Sequence, residues 1–227
     1  MTSASPYNPG AAPVARISRA AIAANLAGIA PASGFAVDLR GDAYGHGAAD
    51  VAEWCAALGA GAARTDAGRG AGPLREADAD APVLDAADLF GLTAGRTPAM
   101  RLSGTALVIK ALRAGEGVSY GYRHRAARDT RIALVTGGYA QGVVRSLGGV
   151  ADVVIGGARH PIVGRVAMDV CMVDIGGAEV RRGDEAVFFG DPAVGEPAVR
   201  EWAPATGLRA AEIVTAIGRR ALREATA

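Results

Sequence analysis

The sequence predicts an α+β, multi-domain chain: a short α/β segment followed by a mainly antiparallel β domain. Two patterns and one length carry that expectation. From Ser18 to Leu58 a helix, a short apolar strand and a second helix follow one another. From Leu102 onward, short runs rich in Val and Ile are separated by Gly clusters, which is the pattern of antiparallel strands. The chain has 227 residues, enough for one large domain or two small ones.

Taken in order, residues 1–13 read as a flexible tail. Ser18–Ala30 reads as a helix, with Ser18 as N-cap and Ile22, Leu26 and Ile29 along one face. Phe35–Leu39 is a short buried strand. Ala48–Leu58 is a second helix, with Val51, Cys55 and Leu58 at helical spacing and Gly59 as its C-cap. Residues 73–77 look like the end of a helix, 82–84 like a short strand, and Asp88–Pro98 like a loop or linker. The Val/Ile runs then fall at Leu102, 107–109, Val118, 132–135, 153–155, 162–166, 172–175 and 186–189. Glu212–Arg223 closes the chain as a terminal helix or irregular segment. No internal repeat is present in the sequence.

Composition narrows the function classes. Half of the residues are hydrophobic, so a sizeable core can form. The net charge is +1 and no basic block stands out, which argues against a nucleic-acid partner. No run of 18 apolar residues occurs, so no membrane span is expected. The polar start of the chain does not read as a signal peptide. The two cysteines, Cys55 and Cys171, have no metal-binding spacing and suit buried thiols in a reduced, cytoplasmic protein. One further count matters. The chain holds a single lysine, Lys110, and its other 23 basic residues are arginines. Only one side chain could therefore form a Schiff base with an aldehyde.

The most polar cluster of the first half, Asp38 to Gly47, stands at the C-terminal end of the predicted strand, where ligands sit in α/β folds. Here Asp42-Ala43-Tyr44-Gly45-His46-Gly47 resembles the signature that follows the cofactor lysine in alanine racemases, enzymes that use pyridoxal phosphate. More of the family's motifs follow in order: residues 114–121, 128–130, 138–143, 161–169, 172–174, 183–185 and 212–215. The resemblance runs from about Val14 to Arg223 with one large gap. It implies a (β/α)8 barrel followed by a β domain. Such a barrel takes roughly 200 residues or more. Here residues 14–96 would be a truncated remnant of it, with Gly59–Ala63 at the place of the next strand, and residues 97–227 the C-terminal β domain. After Asp85 the sequence jumps to what corresponds to the barrel's exit, 91–102.

The resemblance also implies roles for single residues. Arg40 matches the position of the cofactor lysine. A guanidinium stays protonated and is neither a nucleophile nor a base. It could pair with a phosphate or a carboxylate, or form an ion pair with Asp38 or Asp42. Tyr120 matches the base on the opposite face of the substrate, which in the family reaches into the other subunit's barrel; the alternative is a strand-end tyrosine that packs its ring. Tyr44 matches a residue that contacts the cofactor phosphate, and His46 organises the same turn. Tyr139 and Met168 match positions that line the substrate site across the dimer, while Asp169 shapes a turn. Ala167 replaces a usual cysteine, and Ala211 stands where the family has a second phosphate-binding tyrosine. Lys110 matches an ordinary lysine, a solvated charge on a strand. No metal site is expected.

The expected activity is that of the family: interconversion of L- and D-alanine by a cytoplasmic isomerase, for cell-wall peptidoglycan. Arg40 and the shortened barrel predict a chain that is impaired or inactive by itself, a pseudoenzyme. The implied partners are alanine if the chain is active, and a second copy or an intact racemase in a dimer. Two other readings stay open: a non-catalytic module that pairs with a full-length racemase, and a decaying gene product.

Overall fold

The computed structural model describes residues 12–31 and 34–227. The expected tail therefore lies outside the described residues, except for Ala12 and Pro13. In chain order the strands are β1 (Val14–Ser18), β2 (Phe35–Asp38), β3 (Ala60–Arg64), β4 (Arg75–Glu76), β5 (Met100–Leu112), β6 (Gly117–Val118), β7 (His124–Arg125), β8 (Thr130–Thr136), β9 (Asp152–Ile155), β10 (Ala158–Val163), β11 (Val170–Asp174), β12 (Glu185–Phe189) and β13 (Leu222–Thr226). The chain divides into two compact units. One comprises Leu102–Gly207 with Arg220–Leu222 and the described residues 12–14. The other comprises Ala15–Arg101 with Leu208–Arg219 and Arg223–Ala227.

The first unit is the antiparallel domain that the Val/Ile runs predict. Its strands follow the order β12-β9-β10-β11-β8-β5, and β12 pairs back onto β5, closing a six-stranded barrel. Alternation fills the interior, because successive strand residues point to opposite faces. Ile162 stands opposite Val173, Val173 opposite Ala133, and Cys171 opposite Val135, all buried. At one end Trp202 packs edge-on against Phe189, with centroids 5.3 Å apart. The short hairpin β6–β7 covers a second cluster of Leu112, Ala126, Ile132 and Val163.

The second unit is built on a parallel sheet, β2-β3-β4. The helix Arg19–Ile29 starts as expected, with the Ser18 hydroxyl accepting from the Ala21 N–H at 3.1 Å. The helix Ala48–Ala57 buries Val51 and Cys55 and gives way to Gly59, whose φ of 97° reverses the chain into β3. The three strands form an open sheet. A truncated barrel remnant is thus the right description of this part.

Five local expectations need correction. Residues 73–77 are not a helix end: Arg75–Glu76 forms β4, because Ala62 and Ala63 at the sheet edge need backbone partners, and Ala77 N–H donates to Ala63 O. The strand at 82–84 shrinks to a single bridge between Val83 and Ala36. Residues 88–98 are not a linker. They begin in the helix Ala86–Leu89, and Leu89 and Phe90 are fully buried. Leu58 lies one residue past its helix and is 42% exposed rather than on the packed face. The C-terminal segment splits into the helix Ala210–Gly218 and strand β13, which lies beside β1, a strand the helix–strand–helix reading omits.

Candidate functional site

The site begins where β2 ends. Phe35, Ala36, Val37 and Asp38 are all buried, so the strand delivers a carboxylate into the interior at its C-terminal end. The chain then turns in the left-handed sense through five consecutive residues: Gly41 (φ 63°), Asp42 (61°), Ala43 (53°), Tyr44 (53°) and Gly45 (81°). For the three non-glycine residues this conformation costs on the order of 1–2 kcal/mol each. The surroundings must hold it. Gly41 N–H donates to Asp66 Oδ2 at 3.0 Å, and Ala48 N–H donates to Asp42 Oδ1 at 2.9 Å. The Arg223 guanidinium pairs with the Asp42 carboxylate and reaches Gly45 O at 3.3 Å. The helix Ala210–Gly218 closes on the turn so tightly that a Cβ on Gly218 would stand 1.9 Å from Gly45 O. Backbone strain of this kind, held by its surroundings, clusters at functional sites.

Within the turn, one carboxylate gathers the polar groups. Asp38 accepts from the Arg40 N–H (3.0 Å to Oδ1), from Arg40 Nε (2.9 Å to Oδ1 and 3.2 Å to Oδ2) and from Arg40 Nη2 (2.5 Å to Oδ2). The Tyr44 hydroxyl donates to the same Oδ2 at 3.2 Å. Burial works to raise the Asp38 pKa, but the guanidinium, its backbone N–H and the phenol outweigh it and hold the carboxyl below its ordinary value. The Asp38 hydrogen bonds and charge raise the Arg40 pKa further above its already high value. Burial and the neighbouring Asp38 push the Tyr44 phenol up. Of the two ion pairs open to Arg40, the structure selects Asp38.

His46 organises the turn as expected. It is buried, its Nδ1–H donates to Ala43 O at 2.9 Å, and its ring stacks on Phe90. Burial lowers its pKa to about 4, so it is neutral at pH 7. Phe90 also lies 5.9 Å from the Tyr44 ring and is the floor of the turn. No motif points to Phe90; it is a lone aromatic in a stretch that reads as a linker.

The other site residues lie in the barrel unit. Tyr120 opens a tight turn, Tyr120–Tyr122, that is pinned to the 165 loop: the Ser119 hydroxyl donates to Arg165 O at 2.9 Å and accepts from Arg165 N–H at 2.6 Å. Tyr120 is 63% exposed and Tyr122 66% exposed, beside a depression of about 460 Å³ that Arg165, Ala167 and Met172 help to line. Met168 is 54% exposed. Tyr139 lies next to it through backbone bonds, Tyr139 N–H to Ala167 O and Ala140 N–H to Met168 O, both 3.0 Å. The Arg145 guanidinium covers the Tyr139 ring at 4.9 Å. Asp169 accepts from Gln141 Nε2 at 2.9 Å and shapes this turn. Arg40 and Tyr44 are thus brought together in one unit, and Tyr120, Tyr139 and Met168 belong to the other.

Lys110 is exposed on β5, at the rim of an apolar groove between Val108, Leu134 and Met172. Among the described residues no group of three or more His, Cys, Asp or Glu could hold a metal ion, and no helix is long and apolar enough to cross a membrane. Cys55 and Cys171 are free and buried, and burial pushes both thiols up to about 12.

Comparison with known proteins agrees with this architecture. The family described as alanine racemase, C-terminal domain, matches residues 99–225. The alanine racemase of Mycobacterium leprae (strain TN) is 47% identical over 131 residues, 57% of this chain and 34% of that protein. The match therefore spans about a third of the length of that curated relative. The crystal structure of alanine racemase from D-cycloserine producing Streptomyces lavendulae aligns with a TM-score of 0.82 at 22% identity, over 96% of this chain and 97% of that one. Alanine racemase from Bartonella henselae with covalently bound pyridoxal phosphate aligns with a TM-score of 0.76 at 15% identity, over 95% and 100%. At those identities the structural likeness is one of fold. The family match, which covers more than half of the sequence, goes further: the chain belongs to the alanine racemase family.

Proposed function

We propose that this chain is an alanine racemase relative that does not racemise alanine by itself. We take residues 14–96 as the partial barrel and 97–227 as the C-terminal β domain, in a cytoplasmic protein. The buried, unpaired thiols support that compartment. The carrying observation is Arg40, at the position that the resemblance gives to the cofactor lysine and bound at two points to Asp38. The Bartonella henselae relative holds pyridoxal phosphate covalently. An imine to that aldehyde needs an amine, and a guanidinium does not supply one near neutral pH. Tyr44, the expected phosphate contact, has its hydroxyl on Asp38. The residues around position 40 therefore do not fit a cofactor held as an imine. The chain's one lysine side chain belongs to the other compact unit.

The test is an absorbance titration of the purified chain with pyridoxal phosphate, followed by borohydride reduction and peptide mapping. We expect no imine band and no L- to D-alanine turnover. An adduct on Lys110 accompanied by racemisation overturns this reading.

The exposure of Tyr120, Tyr122 and Met168 favours a second role, pairing with an intact racemase to which this chain offers Tyr120. Single apolar residues at a surface are ordinary, but two exposed aromatic rings on one turn, Tyr120 and Tyr122, point to a partner. Mixing with an intact racemase should give a mixed dimer by native mass spectrometry, and a chain that stays monomeric beside such a racemase removes this role.

A further inference from the structure

We propose that Asp38 is the positioning residue that closes this site to an aldehyde cofactor, because it holds both the cation at position 40 and the hydroxyl of Tyr44. The inference rests on the reading that position 40 corresponds to the cofactor lysine, and it goes beyond it. If Arg40 were the sole obstacle, one substitution would restore an amine able to form an imine. The geometry around Asp38 argues otherwise.

Asp38 ends a strand whose four residues are all buried, and its side chain is 8% exposed. A carboxylate in that place needs a cation and hydrogen-bond donors to offset its lost hydration. It takes both from the turn that follows. One of those bonds, Arg40 N–H to Oδ1 at 3.0 Å, is made by the peptide group. It does not depend on the side chain at position 40. The carboxylate thus stays aimed at residue 40 whichever side chain stands there. A second carboxylate, Asp66, meets the next peptide group, Gly41 N–H, at 3.0 Å. A lysine amine at position 40 would face Asp38 directly. Nearby negative charge favours the ammonium form, and an ammonium has no lone pair with which to attack an aldehyde. The same Oδ2 that binds Nη2 of Arg40 also binds the Tyr44 hydroxyl. Asp38 therefore commits two residues that the resemblance assigns to a cofactor. The strand residue, and not only the substituted lysine position, decides the chemistry of the turn.

The test compares Arg40→Lys with the double variant Asp38→Asn/Arg40→Lys. Each folded protein is mixed with pyridoxal phosphate at pH 7.5, reduced with borohydride and mapped by mass spectrometry, with Lys110 as the internal reference. In Arg40→Lys, labelling at position 40 should be no higher than on Lys110. In the double variant it should rise by about tenfold or more, since each tenfold corresponds to one pH unit of released amine. Equal labelling at position 40 in both variants, or none in the double variant, overturns the proposal. If Asp38→Asn/Arg40→Lys does not fold, Asp38→Ala/Arg40→Lys takes its place. A further readout needs only Arg40→Lys: the pH midpoint of acetylation at position 40 should lie above that of Lys110, and a midpoint at or below it also overturns the proposal. An adduct on Lys110 of the unaltered chain with racemisation would remove the functional reading above and leave the Asp38 comparison standing.

Discussion

The imidazole of His46 lies on the ring of Phe90, with centroids 4.1 Å apart and planes 11° apart. His46 is buried just after the left-handed turn, and its pKa falls from 6.5 to about 4 because burial penalises the charged form. The unfolded chain binds a proton on this residue below pH 6.5, while the folded chain does not until about pH 4. Its contribution is therefore fully present above pH 6.5 and is lost between 6.5 and 4, by about 3 kcal/mol in total. Thermal unfolding at pH 7 and pH 5 should show a marked loss of stability on acidification. His46→Leu should flatten that dependence, and an equal slope in the variant would refute the assignment.

A second acid transition should follow at lower pH. Asp38 and Asp42 both have pKa values held below the ordinary carboxylate value. Burial opposes this, and it is overcome by Arg40 for Asp38 and by the Ala48 N–H and Arg223 for Asp42. Their contributions are present above pH 3.8 and disappear as the pH falls below it. Arg223→Ala should weaken this second step, since it removes the cation beside Asp42. The check is urea unfolding at pH 4.5 and pH 3 for both proteins, and an unchanged difference between the two pH values would refute the role of Arg223.

Gly218→Ala separates local propensity from tertiary packing by the sign of its effect. Gly218 ends the helix Ala210–Gly218, and alanine is favoured over glycine in helices by about 1 kcal/mol. Its added Cβ would meet Gly45 O at 1.9 Å, a backbone atom that cannot swing aside. We expect the variant to lose about 2 kcal/mol or more by denaturant unfolding, in the range of overpacked cores. A gain in stability would show that the helix does not press on the turn.

Asn25 ties the segment 89–97 to the first helix. It is buried, its Nδ2 donates to Leu89 O at 3.1 Å and Thr97 O at 2.8 Å, and its Oδ1 accepts from Thr97 N–H at 3.0 Å. Asn25→Leu leaves three backbone groups without those partners and should cost at least about 2 kcal/mol. Hydrogen exchange should speed up at Thr97 before it does in β2.

Neither thiol should react with a disulfide reagent in the folded state. Cys55 and Cys171 are 0% and 1% exposed, and burial holds both in the neutral form. Both should be modified at once when the chain is unfolded in guanidinium. Rapid labelling of Cys171 in the native protein would mean that the barrel interior opens.

Much of the architecture was legible along the chain because it is a matter of local pattern. The Val/Ile runs separated by glycines become β5 and β8 to β12, since alternation decides which face of a strand is buried. The Ser18 cap and the 3.6-residue spacing of Ile22 and Leu26 likewise specify the first helix. Residues 73–77 were not legible, since Arg75 and Glu76 carry no strand pattern and pair only because β3 offers an edge. The same holds for β1 and β13, which depend on a partner more than 200 residues away.

At the site, the sequence alone specifies the side chains on hand: an arginine at position 40 and a single lysine at position 110. It also determined the family, because ordered motifs survive in a linear chain. What Arg40 does emerges only on folding. A buried strand end leaves Asp38 without hydration, and the left-handed turn bends Arg40 and Tyr44 back onto it. Three non-glycine residues in that conformation are unfavourable on local grounds, so no short-range signal points to the turn. It is held by Arg223 and by a helix close to the C-terminus, contacts that exist only once the chain has folded.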